Sequence, residues 1–313
     1  MKKAFTLIEL VIAITITAIL ASIGTEIIST VYQNYIQTRS ITKLEAQTEL
    51  AITQISKRLQ YRIKQTLVGY EKNKNEYKDI TDCKEDCGIT DCKEDCGIAW
   101  YMQSYESRRL GEVNKIGWSG VINKATIVGN EINLRLGYND ENVQNLDKAK
   151  EIIESITSKE VSEKNPIALI FKQSEDKAKE NYYNGNTNKV YKAYFSGNNI
   201  IIDIDKKNKN KGDKLEDLYY LSHTINRIYI DGDKNLKLDV IPATSPSTQA
   251  NENNSYIIAQ NVTTLRFTNF TSENDIASSN GLILKICIKD PNLKVGKKDN
   301  DPYLEVCKVK AII

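Results

Sequence analysis

The chain is poor in the residues and motifs on which most enzyme active sites depend. It has one histidine, His223, which follows Ser222 in a strand-like run. Adjacent residues of a strand point to opposite faces of a sheet, so this pair does not form a catalytic dyad. The sequence also lacks a Gly-x-Ser-x-Gly motif, a phosphate-binding loop and a dinucleotide-binding fingerprint. These absences predict a protein that is not an enzyme.

The chain also has little net charge, because 43 basic and 41 acidic residues leave only +2 at neutral pH. A charge this small creates no global field that would attract nucleic acid or anionic lipid. One basic loop, residues 206–214, contains several lysines but neither arginines nor interleaved aromatic residues. This composition favours a solvated loop, and contact with DNA phosphates is the alternative.

One long apolar run is present, at the amino terminus. Lys2 and Lys3 precede it, and it extends from Phe5 to Ile28. These roughly 24 residues would form about 36 Å of helix, which is enough to cross a bilayer. The run is too long for a cleaved secretory signal. Glu9 lies near its start, where a carboxylate needs a partner or a role that a plain signal anchor would not provide.

The motif around this carboxylate resembles the leader and methylation motif of type IV prepilins and type II secretion pseudopilins, because residues 2–10 read KKAFTLIEL. The resemblance implies that a prepilin peptidase cuts between Ala4 and Phe5 and methylates the new amino group of Phe5. It also implies that Glu9 pairs with the terminal amine of a neighbouring subunit, since both buried charges are costly without a partner. The family usually has Gly before the cut, so Ala4 predicts slower cleavage.

The predicted helix continues beyond the membrane. Residues 29–68 contain neither Pro nor Gly, and apolar residues recur every three or four positions from Ile41 to Leu67, before a stop at Gly69. This stripe needs a partner surface, either strands of the same chain or a coiled-coil partner. The predicted fold class is α+β: a long amino-terminal helix, half transmembrane and half amphipathic, packed on an antiparallel β-sheet head, as in pilins.

The sequence divides into five segments: a leader (1–4), a transmembrane helix (5–28), an amphipathic helix (29–69), a Cys-rich repeat loop and connector (70–120) and a β-rich head (121–313). Within the head, residues 121–128 and 131–137 predict one hairpin, and 191–195 and 200–204 a second. Residues 141–158 predict a helix. Three antiparallel strands are predicted after residue 255, and residues 258–267 resemble the late strand of large W-type minor pilins and J-type pseudopilins.

The six cysteines all follow the membrane helix, in a part of the chain that would be exported to an oxidising compartment. Cys287 and Cys307 lie on strands predicted to be adjacent, and the resemblance to pilins implies a carboxy-terminal disulfide, with buried free thiols as the alternative. An identical tandem repeat, residues 80–88 and 89–97, holds the other four. Two local disulfides are favoured there over a zinc site, from Cys83, Cys87, Cys92 and Cys96.

An acidic segment is a candidate for calcium. Oxygen ligands stand at alternate positions, as in the first part of a calcium loop, at Asp231, Asp233, Asn235 and Asp239. However, Gly232 is second in the segment and not sixth, and Pro242 stands where a bidentate Glu would be. An ordinary Asp-Gly turn between strands is therefore favoured over a calcium site, and no other cofactor is predicted.

These observations predict a minor pilin or pseudopilin, a structural subunit that helps to initiate or cap a type IV pilus, a type II secretion pseudopilus or a DNA-uptake pseudopilus. The implied partners are the prepilin peptidase, other pilins, an inner-membrane platform protein and a cytoplasmic assembly ATPase. Before assembly the chain would cross the bacterial inner membrane once, with its head in the periplasm. The alternatives are a competence pilin whose head binds DNA directly and a membrane-anchored adhesin or enzyme.

Overall fold

The computed structural model describes residues 6–79, 96–110, 116–128, 131–136, 145–172, 177–183, 189–197, 199–203, 216–251, 253–269, 281–296 and 300–312. Three α-helices are present in these ranges: α1 (Leu7–Gln60), α2 (Tyr105–Arg109) and α3 (Leu146–Thr157). The strands are β1 (Val68–Glu71), β2 (Glu76–Lys78), β3 (Cys96–Gln103), β4 (Ile122–Val128), β5 (Glu131–Leu136), β6 (Ile167–Phe171), β7 (Val190–Ser196), β8 (Asn199–Asp203), β9 (Tyr219–Ile230), β10 (Leu236–Pro242), β11 (Ser255–Ala259), β12 (Val262–Asn269), β13 (Leu282–Lys294) and β14 (Tyr303–Ile312).

The first helix, α1, is continuous over 54 residues, which corresponds to about 81 Å. Its first buried residue is Leu44, and the buried positions that follow recur at the predicted helical spacing: Thr48, Ala51, Ile52, Ile55, Ser56 and Leu59. The amphipathic stripe is therefore confirmed, and its partner is the head of the same chain.

The prediction that this helix reaches residue 69 was wrong, because α1 ends at Gln60. The backbone of the next residues bonds to β3 instead: Ile63 N–H donates to the Tyr101 carbonyl, and Gln103 N–H donates to the Tyr61 carbonyl. Gly69 lies inside β1 and does not terminate a helix. Tertiary pairing therefore replaced the last two turns of the predicted helix.

Among the described residues, the head contains two antiparallel sheets, which confirms the predicted α+β class. One has eleven strands, in the order β2-β1-β3-β9-β6-β7-β8-β5-β4, with β10 also paired to β9 and β11 paired to β10. The other has the order β12-β13-β14. The predicted hairpins are present as β4–β5 and β7–β8. The predicted connector over 70–120 contains β3, a central strand, so the β-rich head begins at β1 and not at residue 121.

The centre of the large sheet is β9. It pairs with β3 along one side, and along its other side it pairs first with β6 (residues 219–222) and then with β10 (residues 224–230). The sheet therefore forks beside His223. Residues 218–221 and 225–230 each have strand-like sequence, and the structure joins them into one strand, β9.

The carboxy-terminal region differs from the prediction in one respect. Residues 255–269 form two strands, β11 and β12, because Asn261 adopts a left-handed backbone with φ of 56°. The first strand joins the large sheet and the second joins the three-stranded sheet. The chain thus crosses between sheets at this point, and both sheets contribute side chains to the core that covers α1.

Candidate functional site

The amino-terminal end of α1 holds Glu9 in a defined position. Thr6 is the N-cap residue: its hydroxyl accepts from the Glu9 backbone N–H at 3.4 Å, and the Glu9 carboxylate accepts from the Thr6 N–H at 3.0 Å and from its hydroxyl at 2.8 Å. This is a capping box, whose sequence signal is Thr-x-x-Glu. The sequence prediction named Glu9 and missed Thr6. The predicted cleavage site, Ala4 and Phe5, lies outside the described residues.

The apolar part of α1 contacts no other element among the described residues. Every large aliphatic side chain from Leu7 to Ile28 is at least 50% exposed. The threonine hydroxyls in and just after this stretch donate to the carbonyl one turn earlier, so each has a hydrogen-bond partner within the helix: Thr15, Thr17, Thr25 and Thr30. By length and composition this helix can cross a membrane. The molecule fits a membrane-anchored, single-pass protein.

Polar contacts fix the second half of α1 to the three-stranded sheet. The Lys308 ammonium lies 2.8 Å from the Glu49 carboxylate, and Lys310 donates to the Thr53 hydroxyl at 3.4 Å. Nearer the amino terminus of the helix, the Ser40 hydroxyl donates to the Asp290 carboxylate. The hydrogen bond from Lys308 lowers the pKa of Glu49. With the apolar stripe between them, these contacts make the helix and the sheet a single body.

The predicted carboxy-terminal disulfide is present. Cys287 of β13 and Cys307 of β14 are register partners, and their sulfur atoms are bonded. The bond links the two strands against which α1 packs. Glu305 lies close to both sulfurs, but a disulfide has no thiolate to offer a metal ion, so this group is not a metal site.

The cysteine repeat is described only at its end. Cys96 is disulfide-bonded and begins β3. Cys83, Cys87 and Cys92 lie outside the described residues. The pairing within the repeat stays a prediction.

The calcium candidates form a tight turn between β9 and β10. One oxygen of Asp231 accepts from the backbone N–H groups of Asp233 and Asn235, and the other accepts from the Asn235 amide and lies 3.0 Å from the Lys237 ammonium. Asp239 lies apart from them, buried, and accepts from Ser255 at 2.6 Å. The structure therefore brings together Asp231 and Asn235, with Lys237 as an added partner, in the turn that the sequence favoured. Calcium binding stays the untested alternative.

The single histidine lies at the fork of the large sheet. Its Nδ1 is 3.1 Å from the Ser104 hydroxyl, while the neighbouring Ser222 hydroxyl donates to the Thr224 carbonyl. Burial lowers the pKa of His223. Ser104 is fully buried and also bonds to the Ser107 hydroxyl, so it has no access to a substrate and does not act as a nucleophile with His223.

A cleft of about 1030 Å³ opens beside His223, between the diverging strands β6 and β10. Its walls come from segments far apart in the chain, including the Arg58 side chain on α1 and Tyr256 on β11. Sequence reasoning missed this cleft because no local motif marks it.

Comparison with known proteins identifies the amino-terminal region. A family model described as the prokaryotic N-terminal methylation motif matches residues 1–25. No curated protein and no solved structure matches the chain. The matched segment contains the start of α1, with Thr6 and Glu9 at its tip. The chain therefore carries a prokaryotic N-terminal methylation motif, which supports a type IV pilin-like protein.

Proposed function

We propose that this chain is a minor pilin or minor pseudopilin that prepilin peptidase processes and that helps to initiate or cap a fibre. The observation that carries the proposal is the continuity of α1. One uninterrupted helix has an exposed apolar half and a half buried in the head. A simple anchor does not need a rigid connection to its head. A subunit that assembles through its helix does, because the helix then sets the position of the head in the fibre.

The size of the head supports a minor subunit of the W-type or J-type over a major one, because major pilins are usually much shorter than this chain. In this role the chain would wait in the inner membrane with its head in the periplasm. It would then be extracted by the platform protein and assembly ATPase of a pilus, secretion or DNA-uptake machine.

The position of Glu9 at the tip of α1 supports this role. Among the described residues, the partner of its carboxylate is Thr6, one turn away at the end of the helix. A carboxylate in hydrocarbon is strongly stabilised by an ammonium group. Cleavage before Phe5 would create that ammonium on every subunit, one residue before the cap. Pairing between the amine of one subunit and the carboxylate of its neighbour would then fix their axial register.

The test compares two variants that each remove one carboxylate from the same helix. Glu9→Gln should insert into the membrane normally but be depleted from sheared fibres when expressed with its partner pilins. Glu26→Gln lies about 26 Å further along α1 and should be incorporated like the wild-type chain. Equal incorporation of both variants would contradict the pairing argument.

Mass spectrometry of the mature chain tests the processing step separately. The expected amino terminus is N-methylated Phe5, and an intact Met1 or a distant cut would refute the pilin proposal. Ala4→Gly should be cleaved faster than the wild-type chain in a pulse-chase experiment, because Gly is the residue that the peptidase usually meets.

A further inference from the structure

Two exposed tyrosines mark a level on α1 just beyond the apolar run. Tyr32 is 63% exposed and Tyr35 is 59% exposed. Tyrosine is enriched where a membrane-spanning helix passes through the headgroup region, because its ring is apolar and its hydroxyl is polar. The leaflet from which α1 emerges toward the head therefore ends close to these two residues.

The end of the β13–β14 hairpin that contains Lys294 and Tyr303, here called the lower end, lies near the same level of α1. Glu49 contacts Lys308, and Thr53 contacts Lys310. A step of two residues along β14 therefore corresponds to a step of four residues along α1, so the two elements run side by side. Tyr303 is five residues before Lys308, or about 17 Å lower. That distance corresponds to roughly 11 helical residues and places Tyr303 near residue 38, one turn above Tyr35.

A second contact places the lower end of the hairpin at the same height on α1. Asp290, which lies between the paired residues Lys289 and Lys294 of β13, accepts a hydrogen bond from Ser40. Beyond it, Lys294 is the register partner of Tyr303, and Val295 N–H donates to the Pro302 carbonyl. The lower end of the hairpin is thus held within two helical turns of the tyrosine level.

This end of the hairpin has the chemistry of a surface that binds lipid headgroups. The ammonium groups of Lys289 and Lys294 lie 5.1 and 5.5 Å from the centre of the Tyr303 ring. Val295, next to them, is 58% exposed. The exposed Arg39 of α1 lies at the same level.

Among the described residues, three acidic groups lie near this level, and each has a partner within the chain. Glu305, the register partner of Lys289, accepts a hydrogen bond from the Thr263 hydroxyl. Asp290 is turned toward α1 by its bond with Ser40, which lowers the pKa of this carboxyl group, and Lys43 acts on the same carboxylate. Asp301 packs against Gly296 in the hairpin. Cations around an aromatic ring, beside an exposed aliphatic residue, are the composition expected of a contact with an anionic bilayer surface.

We propose that the lower end of the β13–β14 hairpin rests on the anionic phospholipid headgroups of the leaflet from which α1 emerges. Lys289, Lys294 and Arg39 bind headgroup phosphates, and Tyr303 and Val295 contact the boundary of the acyl chains. This inference rests on α1 spanning the bilayer and not on incorporation into a fibre. The contact would hold the head upright on the membrane until extraction breaks it.

Two tryptophan reporters test the contact in the full-length chain reconstituted in vesicles. Val295→Trp places the reporter at the proposed contact. Val309→Trp is the matched control, because Val309 is 62% exposed and lies about 20 Å higher than Tyr303 on the same hairpin. The native Trp100 and Trp118 are fully buried in the head and supply a constant background. The vesicles contain phosphatidylglycerol and lipids brominated near the headgroup end of the acyl chain.

The expected result is quenching and a blue shift for Val295→Trp, with neither for Val309→Trp. Replacing phosphatidylglycerol with phosphatidylcholine should reverse both changes. Neutralising Lys289 and Lys294 with glutamine should weaken the contact, by roughly fivefold in equilibrium constant for each lysine. Lys57, near the end of α1, and Lys159, which lines the cleft with Arg58, are both exposed. The matched control, Lys57→Gln with Lys159→Gln, therefore removes the same charge far from this end of the hairpin and should leave the Val295→Trp signal unchanged.

Each of the remaining outcomes contradicts one specific claim. If the chain floats with the vesicles but Val295→Trp is quenched no more than Val309→Trp, the hairpin does not touch the membrane, and the pilin proposal is unaffected. Equal quenching in both lipids would overturn the role of anionic headgroups. A chain that does not float with vesicles would refute the membrane span itself, and with it both proposals.

Discussion

Replacing Arg227 with methionine should destabilise the head severely. This arginine is fully buried on β9. Its guanidinium donates to the Tyr77 hydroxyl and to the carbonyls of Pro246 and Thr248, and it lies 4.8 Å from the centre of the Tyr70 ring. It therefore connects the central strand, β1, β2 and the segment after β10. Methionine would keep most of the volume and remove all of the donors.

A second buried polar residue lies beside Arg227. Asp239 of β10 is the register partner of Arg227 and is also fully buried. One of its oxygens accepts from Ser255 and Tyr229, and the other has no hydrogen-bond partner among the described residues. Without Arg227, the carbonyls of Pro246 and Thr248 lose their charged donor. A buried polar group left without its hydrogen bond costs about 1–3 kcal/mol, so the total is a large part of the ~5–15 kcal/mol that stabilises a typical domain.

The assay is urea unfolding of the full-length chain in detergent, followed by the fluorescence of Trp100 and Trp118. We expect Arg227→Met and Asp239→Asn to destabilise separately and the double variant to lose less than their sum, with a coupling of about 0.5–3 kcal/mol. Losses that add to within ~0.5 kcal/mol, or an Arg227→Met loss below ~1 kcal/mol, would refute the reasoning.

Three further predictions concern other parts of the head. Replacing Cys287 and Cys307 with alanine opens a link with a sequence separation of 20 residues and should lower the unfolding free energy by about 3 kcal/mol in the chain-entropy model; an unchanged urea midpoint would contradict this. Burial lowers the pKa of His223 below its ordinary 6.5, so its contribution to stability is complete above pH 6.5 and is lost as the pH falls through the lowered pKa. His223→Asn should make stability less dependent on pH in that window, and an unchanged pH profile would count against it. Leu59→Ala, at a fully buried position, should cost about 2–5 kcal/mol, whereas Leu50→Ala on the exposed face should change stability by less than ~0.5 kcal/mol.

The sequence predicted the helix and its buried stripe because periodicity records which face of an element is covered. It did not predict where the helix ends, because Ile63 and Leu67 keep the helical spacing while being buried by strands. It also missed β10, whose sequence follows an acidic turn and ends at Pro242. In both places the partner strand decides the structure, and that partner is remote in the chain.

In the candidate site, too, local features could be predicted, and contacts between remote segments could not. Glu9 could be predicted because it lies near the start of the apolar run and within the local motif of residues 2–10. The roles of Arg227 and of the cleft beside His223 depend on side chains brought together from several strands. The level of the hairpin relative to Tyr35 depends on how β14 aligns with α1, which no local pattern specifies.

The position of β9 has a consequence for how the chain acquires its fold. Strands β1–β3 and strands β4–β8 form two groups, and β9 is the strand that joins them in the large sheet. Because synthesis proceeds from the amino terminus, both groups emerge as incomplete sheets whose inner edges, β3 and β6, wait for β9. Pairing across more than a hundred residues is slow, and unpaired edges are prone to aggregate. We therefore expect the nascent head to depend on chaperones until residue 230 has emerged, and truncations just before β9 to be degraded or insoluble.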